Sequence, residues 1–324
     1  MSKTPIDNPD QSLKRHTLNG ETMGTRYSAI FFTPADMEID PVAAALFASV
    51  DLVDCQMSTW KPQSDLMRLN AAPIKEWIDI PAELTQVLDI ALNIGRATNG
   101  AFDIALGDLV NLWGFGAEGS TPQADGIAKQ LGRARAAAYE TLELDLDKNR
   151  AFKLAPVHLD LSGIAKGFGV DQMLDCLKGF GIKNALVGLD GELGAIGTKE
   201  KNQPWAVAVE KPDYEARAPI GVIGLRDASV ATSGDYRHWV EVGDVRLSHT
   251  MNRQTGGPLQ NRLASVSVVA PTCMEADAWA TALMVMGEVA GPALAKGLGM
   301  DALFITREVD GLRQIEVGSV FGQV

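Results

Sequence analysis

The second half of this chain groups its β-like stretches into runs, and this grouping constrains the fold most. From residue 140 onward, stretches rich in β-branched and apolar residues follow one another, and helical patterns interrupt them only at about 163–180 and 273–287. The β-like stretches are 141–146, 151–159, 184–189, 205–209, 219–232, 236–250 and 264–270. A doubly wound parallel sheet needs strict alternation of strand and helix. We therefore expect an α+β fold with mixed or antiparallel sheets and packed helices.

The first half is mostly helical. PVAAALFASVDLVDCQM (41–57) has helical periodicity and opens on Pro41, a residue that is favoured at the first helical position. PAELTQVLDIALNIGRATNG (81–100) repeats this pattern and ends on a glycine stop signal. TRYSAIFF (25–32) is aromatic and β-branched enough to predict a strand.

These patterns predict one folded domain after a short tail. Residues 1–15 are polar, and we expect a disordered tail there. The domain would run over 16–324, with a helical part at about 41–135 and a strand-rich part at about 140–324.

Composition excludes several classes of protein. The 324 residues are 46% hydrophobic and 22% charged, with a formal net charge of -12. Nucleic-acid-binding proteins concentrate Lys and Arg, so this charge argues against a polyanionic partner, and a phosphorylated ligand would need a cation. The three cysteines form no CxxC pair, which argues against a zinc knuckle or a disulfide framework. No apolar run approaches the roughly 18 residues of a membrane span, and residues 1–15 lack a signal-peptide core.

MEADAWATAL (274–283) carries a candidate cation site. Asp277 and Thr281 are four residues apart in a segment that reads as a helix, so their side chains share one face. Thr272 and Glu275 form a capping-box pattern that starts this helix at about residue 273. Two side-chain oxygens near a helix start suit a hard cation, although the pair alone also fits a solvent-facing side of a core helix.

VHLDLSGIAKGFGVD (157–171) predicts a short strand, a turn and a helix that carries Lys166. Ser162 could cap this helix, whose free backbone N–H groups would make an anion site. Gly167 and Gly169 each cost about 1 kcal/mol relative to Ala inside a helix, which indicates that a neighbouring element or a ligand approaches the backbone closely. Spacing alone does not decide between those two.

Two further motifs bear on function. LSHTMNRQTGGP (247–258) places His249 at the end of a β-like run before a glycine turn, and histidine suits proton transfer near neutral pH, although a lone histidine beside a strand is more often structural. GFGAEG (114–119) matches a dinucleotide-binding pattern, but it follows the helical-looking LVNLW instead of a strand, so we reject that interpretation.

Taken in order, several segments resemble the FAD:protein FMN transferases, the flavin transferases of the ApbE type. The match covers most of the chain beyond residue 20. Its motifs are ETMGTRY (21–27), MSTWKPQSDLMRLN (57–70), GAFD (100–103), NLWGFG (111–116), DLSGIAKGFGVD (160–171), ATSGDY (231–236), SHTMNRQTGGP (248–258) and APTCMEADAWATAL (270–283).

The resemblance implies a Mg²⁺-dependent enzyme with a T-fold-like flavin transferase architecture and an active site in a cleft between two subdomains. Such an enzyme splits FAD, attaches FMN by a phosphoester bond to a Thr or Ser of an acceptor flavoprotein, and releases AMP. An exported electron-transfer subunit would be the first acceptor to test. Exported, lipid-anchored members favour the periplasm, and the cytoplasm is the alternative because residues 1–15 show neither leader nor lipobox cysteine.

The resemblance also implies roles for individual residues. His249 would accept the proton of the acceptor hydroxyl. Magnesium would be held by Asp277, Thr281 and the backbone carbonyl of Gly163. FAD would be bound by Met23, Trp60, Ala101, Phe102, Asp103, Asp160 and Lys166, with Lys166 close to the phosphates.

The chain departs from the family pattern at two positions. Trp60 stands where the family usually has Tyr, a change that keeps a stacking surface. Asn252 stands where the family usually has Asp in a His-x-x-Asp-Pro-Arg motif, which removes a possible cation ligand or histidine partner and keeps a carbonyl oxygen. Two alternatives therefore stay open: an FAD pyrophosphatase that yields FMN and AMP, and a non-catalytic FAD-binding assembly protein.

Overall fold

The computed structural model describes residues 13–117, 121–237, 239–242 and 245–322. Its strands are β1 (Lys14–Thr22), β2 (Thr25–Thr33), β3 (Trp77–Asp79), β4 (Leu142–Asp145), β5 (Arg150–Lys153), β6 (Ala185–Leu189), β7 (Glu192–Ile196), β8 (Trp205–Glu210), β9 (Pro219–Leu225), β10 (Ala228–Gly234), β11 (Trp239–Val242), β12 (Val245–Ser248), β13 (Met251–Asn252), β14 (Gly257–Pro258), β15 (Leu263–Ala270), β16 (Asp301–Glu308) and β17 (Gly311–Val317). Its helices are α1 (Asp40–Met57), α2 (Asp65–Ala71), α3 (Ala82–Ala97), α4 (Gly107–Leu112), α5 (Ala124–Gln130), α6 (Ala138–Thr141), α7 (Ala165–Gly179) and α8 (Cys273–Gly297).

An eight-stranded antiparallel sheet organises the molecule. Its strand order is β1-β2-β6-β7-β10-β15-β16-β17, and the pairings along it are antiparallel. A small sheet, β3-β5-β4, lies in the helical region, and β8 with β9 forms a separate hairpin. The predicted α+β class with antiparallel sheets is confirmed.

Both faces of this sheet are buried, because side chains that alternate along the strands pack against other elements on each face. Phe31 and Val187 pack with α1 and α7 in one cluster of apolar side chains. Phe32, one residue along β2 from Phe31, packs instead with Trp205 of the β8–β9 hairpin. Because successive side chains of a strand point to opposite faces, one face carries the helices and the other carries the hairpin.

The helix α8 lies between the sheet and the helical region. Leu283 and Met284 pack with β15 and β16, and Met274, Ala278 and Ala282 pack in the core of the helical region. Gly287, with φ 80° and ψ -178°, interrupts the helix. The sequence pattern placed the end of the helix at about this residue.

Several elements differ from the sequence prediction. The stretch 219–232 is two strands, β9 and β10, and 236–250 likewise contains β11 and β12. The strands β7, β16 and β17 were not predicted. Residues 1–12 of the predicted tail lie outside the described residues, and β1 begins at Lys14, inside the stretch assigned to the tail.

Among the described residues, α8 is the one helix long and apolar enough to cross a membrane. The sequence pattern did not single out this helix as a candidate span. Length and composition alone are weak evidence, because the core helix of a soluble protein passes the same test. Of the most apolar part of α8, 44% is buried inside the molecule, and its apolar side chains pack on β15 and β16.

Candidate active site

The helices α7 and α8 touch backbone to backbone at Gly167. A Cβ atom at Gly167 would lie 2.4 Å from the carbonyl oxygen of Cys273, so only glycine allows this approach. The N–H of Gly167 donates a hydrogen bond to Oδ2 of Asp277 at 3.1 Å. Of the two explanations for the helical glycines, a neighbouring element is correct for Gly167. At Gly169 a Cβ would make ordinary contacts, the nearest at 3.4 Å from Leu189.

The helix start predicted from Thr272 and Glu275 is confirmed, because Thr272 is the N-cap residue of α8. The hydroxyl of Thr272 accepts the N–H of Glu275 and donates to Oε2 of Glu275 at 2.8 Å. Asp171 of α7 adds a second cap, because its carboxylate accepts the N–H groups of Cys273 at 2.7 Å and Met274 at 2.9 Å. Burial raises the pKa of Asp171 to about 6, against the lowering effect of these two hydrogen bonds.

Thr281 lies one turn beyond Asp277 and faces the start of α7. A Cβ atom at Gly163 would lie 3.2 Å from Oγ1 of Thr281 and 3.4 Å from Cε2 of Phe102. The predicted residues Gly163, Thr281, Asp277 and Phe102 are therefore brought together where α7 begins beside α8.

Lys166 is held among carboxylates. Its Nζ lies 2.9 Å from Oε1 of Glu192 and 3.3 Å from Oδ2 of Asp190. Asp190 lies in the two-residue turn between β6 and β7, because Leu189 pairs with Glu192. Burial lowers the pKa of Lys166, but the negative charges of Glu192, Asp277 and Asp190 outweigh this effect and raise the pKa above its ordinary value.

Asp277 and Glu192 are both almost fully buried, with 7% and 3% of their surfaces exposed. Burial, reinforced by the charge of Glu192, raises the pKa of Asp277 to about 7, and Lys166 opposes this shift. Burial likewise raises the pKa of Glu192 against the attraction of Lys166. Ionising both acids beside one ammonium would leave excess negative charge in this region.

This charge pattern fits a divalent cation with oxygen ligands. Oε2 of Glu192 is buried and has no hydrogen-bond partner among the described residues. Asp277, Thr281 and the carbonyl of Gly163 would offer hard oxygen donors, the type that Mg²⁺ prefers. In the described part of the chain, no cluster of three or more His, Cys, Asp or Glu is placed to hold a metal ion. Few protein ligands are usual for Mg²⁺, which takes most of its ligands from water and phosphate.

The segment before α7 is joined to the turn that contains Phe102. The N–H of Asp160 donates to the carbonyl oxygen of Ile104 at 2.8 Å. Oδ1 of Asp160 accepts the N–H of Ser162 at 2.8 Å. The prediction that Ser162 caps α7 was wrong: Ile164 is at the N-cap position, and no side chain caps the helix.

Asp103 faces inward. Its side chain is 1% exposed, and Oδ2 lies 3.3 Å from Nε of Arg253. Oδ1 accepts the N–H groups of Ala105 at 2.9 Å and Ala138 at 3.0 Å. Burial raises the pKa of Asp103, while these hydrogen bonds and Arg253 act in the opposite direction. Its carboxylate is thus engaged with the protein, whereas the family resemblance implied a place in the flavin pocket.

His249 begins a small hairpin, residues 249–258, which we call the His249 hairpin. Its strands β13 and β14 pair Met251 with Pro258. The ring of His249 lies 6.3 Å from that of Phe115 in an edge arrangement. The prediction that His249 follows a strand and precedes a turn is confirmed.

Met23 is packed against the protein, whereas Trp60 is exposed to solvent. Met23 packs on the apolar clusters beside α7, and its Sδ would lie 3.9 Å from a Cβ at Gly169. Trp60 is 67% exposed. Within the described residues, no hydrogen bond, ion pair or ring contact joins its side chain to the other predicted site residues. Ala101 is half-buried in the turn that precedes Phe102.

Sequence reasoning missed Glu192, Asp190 and the role of Arg253. The signal for Glu192 and Asp190 was present in ALVGLDGELGAIG (185–197), where an Asp-Gly turn separates two apolar runs. Such a turn predicts a β-hairpin. A lone acid in the second apolar run then marks a buried charge that needs a partner.

Known proteins resemble this chain over nearly its whole length. It is 37% identical over 299 residues to the FAD:protein FMN transferase of Vibrio cholerae, covering 92% of this chain and 89% of that protein. It is 36% identical over 303 residues to the FAD:protein FMN transferase of Haemophilus influenzae, covering 91% and 87%. The solved structure of the flavin transferase ApbE from Vibrio cholerae superposes with a TM-score of 0.86 at 34% identity, covering 96% of this chain and all of that chain. The sequence model of the ApbE family matches residues 23–304. The chain therefore belongs to the ApbE family.

Proposed function

We propose that this protein is an FAD:protein FMN transferase that depends on Mg²⁺. It would move FMN from FAD to a Thr or Ser hydroxyl of an acceptor flavoprotein and release AMP. The observation that carries this proposal is the meeting of Lys166, Asp277 and Thr281 beside Phe102, in a chain whose relatives are named for FMN transfer.

The reaction exchanges one phosphorus–oxygen bond for another. The acceptor hydroxyl oxygen bonds to the phosphorus of the FMN half. The bond from that phosphorus to the bridging oxygen of the pyrophosphate breaks, and AMP leaves with that oxygen. The hydroxyl must lose its proton, and His249 would accept it, since an imidazole is basic near neutral pH.

Negative charge on the phosphates must be neutralised, and the chain supplies groups for this purpose. Lys166 keeps its proton because carboxylates surround it, so it would present a fixed positive charge to the pyrophosphate. Asp277, Thr281 and the Gly163 carbonyl would hold Mg²⁺, which when bound supplies Lewis-acid stabilisation of phosphate charge. The net charge of -12 makes such neutralisation necessary for binding a dinucleotide.

The flavin would lie on the side of the site formed by Phe102. This ring is 3% exposed and borders Gly163, and Met23 packs beside the same helix. Apolar and aromatic groups of this kind suit an isoalloxazine ring. The pocket would comprise Met23, Trp60, Ala101 and Phe102, with Asp160 holding another part of FAD. The carboxylate of Asp103 would instead hold the turn that carries Phe102, because it is engaged with Arg253 and with backbone N–H groups.

A single incubation tests the proposal. The protein is mixed with FAD, Mg²⁺ and an electron-transfer flavoprotein domain, and a denaturing gel is examined for flavin fluorescence while AMP and FMN are quantified. A matched acceptor, in which the target Thr or Ser is replaced by Ala, serves as control. Transfer predicts a fluorescent acceptor band, equimolar AMP and no band for the control.

The other outcomes contradict the proposal in distinguishable ways. Free FMN and AMP with no labelled acceptor would indicate an FAD pyrophosphatase. FAD that stays intact but bound would indicate a non-catalytic assembly protein. The periplasmic location stays a prediction, and fractionation of the producing cells with an antibody to this chain would test it.

A further inference from the structure

The ion pair between Asp103 and Arg253 joins two segments that are 150 positions apart in the chain. The side chains are 1% and 16% exposed, and Oδ2 of Asp103 lies 3.3 Å from Nε of Arg253. Neither atom has a hydrogen-bond partner among the described residues. These two atoms therefore face each other, and loss of either side chain would leave a buried charge without its counter-ion.

Both partners are fixed by further bonds. Asp103 accepts two backbone N–H groups through its other oxygen, from Ala105 and Ala138. The guanidinium of Arg253 donates to the carbonyl oxygen of Arg135 and, at 3.5 Å, to that of Asn99. The ion pair thus has one orientation and cannot rotate freely as a surface pair does.

Glycine at position 100 makes room for the arginine. A Cβ at Gly100 would lie 2.7 Å from Nη2 and 2.8 Å from Nε of Arg253, and Gly100 has φ +76°. The guanidinium therefore passes directly over the backbone of the turn that leads to Phe102. No other residue type would permit both the backbone conformation and this contact.

Arg253 is the first residue of the tip of the His249 hairpin. Asn252 closes this tip, because its Oδ1 accepts the N–H of Gln254 at 2.8 Å and its carbonyl oxygen accepts that of Gly256 at 2.9 Å. Trp113 donates to the carbonyl oxygen of Gly256 at 3.2 Å. Asn252 thus has a structural task in this chain, and a carboxylate is not required for it.

We propose that Arg253 is a positioning residue, which anchors the His249 hairpin on Asp103 and so fixes His249 relative to the turn that carries Phe102. This inference rests on the proposed function, in which His249 takes the proton of the acceptor. Arg253 acts through its contacts with Asp103 and with the backbone carbonyl oxygens of Arg135 and Asn99. Its loss would displace the base while the FAD-binding groups stay in place, and misplacement by about 1 Å can cost a factor of roughly 10² in rate.

The experiment combines kinetics with a measurement that needs no activity. Transfer rates and FAD affinity are measured for Arg253→Met, Arg253→Lys, Asp103→Asn and the double variant Arg253→Met/Asp103→Asn. Hydrogen exchange of the amides of residues 251–256 is followed in the FAD-free protein. Arg26→Met is the control, since Arg26 is 70% exposed and pairs with the exposed Glu21.

We expect Arg253→Met to lower kcat by roughly 10- to 100-fold, with KM for FAD changed by less than about threefold. Exchange in 251–256 should become faster in this variant and stay unchanged in Arg26→Met. Arg253→Lys should recover part of kcat because it restores the charge without the planar fork. The double variant should be no slower than Arg253→Met, because the two residues act through one contact.

Unchanged exchange and unchanged kcat in both Arg253 variants would overturn the inference. Equal losses of FAD affinity and kcat would also overturn it, because they would indicate a binding role. Faster exchange in Arg253→Met, in a protein whose wild-type form transfers no FMN, would instead contradict the proposed function and leave the anchoring of the hairpin standing.

Discussion

Lys166 Nζ lies 2.9 Å from Oε1 of Glu192, and this pair places an ammonium from the start of α7 against a strand of the central sheet. Asp277, on α8, acts on the same ammonium through its charge. The three elements that form the candidate site therefore share one electrostatic centre. The charge balance of this centre depends on Lys166, Glu192 and Asp277, and substitution of each residue can test this dependence.

Replacing Lys166 by Met should destabilise the fold and weaken FAD binding. Glu192 and Asp277 would lose their counter-charge in a buried setting, which costs about 3 to 5 kcal/mol when one partner of such a pair is removed. The loss of unfolding free energy is measured by urea denaturation, with circular dichroism as the signal. Adding Glu192→Gln should recover part of it, since one uncompensated charge is then removed.

Lys178→Met is the control for this test. Lys178 pairs with Asp175 on the exposed side of α7, with side chains 54% and 64% exposed, and such pairs contribute at most about 1 kcal/mol. Equal losses for both lysine variants would contradict the role of Lys166 as a buried counter-charge.

The oxygens of Asp277 and Thr281 should be needed for Mg²⁺-dependent binding of FAD. Asp277→Ala should abolish turnover and remove the effect of Mg²⁺ on FAD affinity, because Asp277 would be a ligand of the cation that neutralises the phosphate charge. Thr281→Val keeps the shape without the hydroxyl and should weaken binding, whereas Thr281→Ser should restore it. Flavin fluorescence titrations with and without Mg²⁺ measure these affinities, and wild-type turnover in Asp277→Ala would exclude the cation site.

His249→Ala should separate binding from transfer. FAD affinity should stay within about threefold of wild type, while transfer slows by roughly 10²-fold or more, the usual effect of losing a general base. The rate of transfer is measured as the increase with time of flavin fluorescence on the acceptor band. If transfer is unchanged, the proton acceptor lies elsewhere.

The contact between α7 and α8 should not tolerate a methyl group. Gly167→Ala would place Cβ 2.4 Å from the Cys273 carbonyl oxygen and should cost more than about 2 kcal/mol of unfolding free energy, with loss of FAD binding through Asp277. Gly179→Ala, on the same helix with nothing within 4 Å of the new Cβ, should be neutral or stabilising by about 0.5 to 1 kcal/mol. Chemical denaturation of both variants makes the comparison, and equal effects would contradict the close contact.

Asp171 predicts a pH dependence of stability. Its pKa is about 6 in the folded protein and about 3.9 in an unfolded chain, so between these values the folded state binds more protons. The free energy of unfolding of wild type, relative to Asp171→Asn, should therefore be greatest below about pH 4 and fall as the pH rises to 7, by roughly 2 to 3 kcal/mol. Denaturation at several pH values measures this difference; a rise with pH would show that the two backbone hydrogen bonds outweigh burial.

Sequence reasoning identified features that depend on local chemistry. The start of α8 follows from Thr272 and Glu275, which lie within one helical turn and bond each other in the structure. The helices opened by Pro41 and Pro81 were found for the same reason: their start signals and apolar periodicity are encoded locally. The Ser162 cap was wrong because Asp160 engages the Ser162 N–H, so the helix starts two residues later than a serine cap would require.

Features that depend on the pairing of residues far apart in the chain could not be predicted from the sequence. β16 is buried by β15, β17 and α8 together, and its run of apolar residues has no alternation to identify it as a strand. Glu192 faces Lys166 only because of the register in which Leu189 pairs with Glu192. The partner of Asp103 lies 150 positions away, and no local pattern selects Arg253 for it.

The exposure of Trp60 gives the protein an intrinsic optical reporter. Trp113 and Trp205 are 8% and 3% exposed, so their emission should be blue-shifted, whereas Trp60 and Trp77, 67% and 41% exposed, should emit at longer wavelength. Isoalloxazine absorbs where tryptophan emits, and energy transfer would quench the contribution of Trp60 when the dinucleotide docks beside it. Subtracting the spectrum of Trp60→Phe would isolate that signal, so cofactor arrival could be timed without labelling the protein.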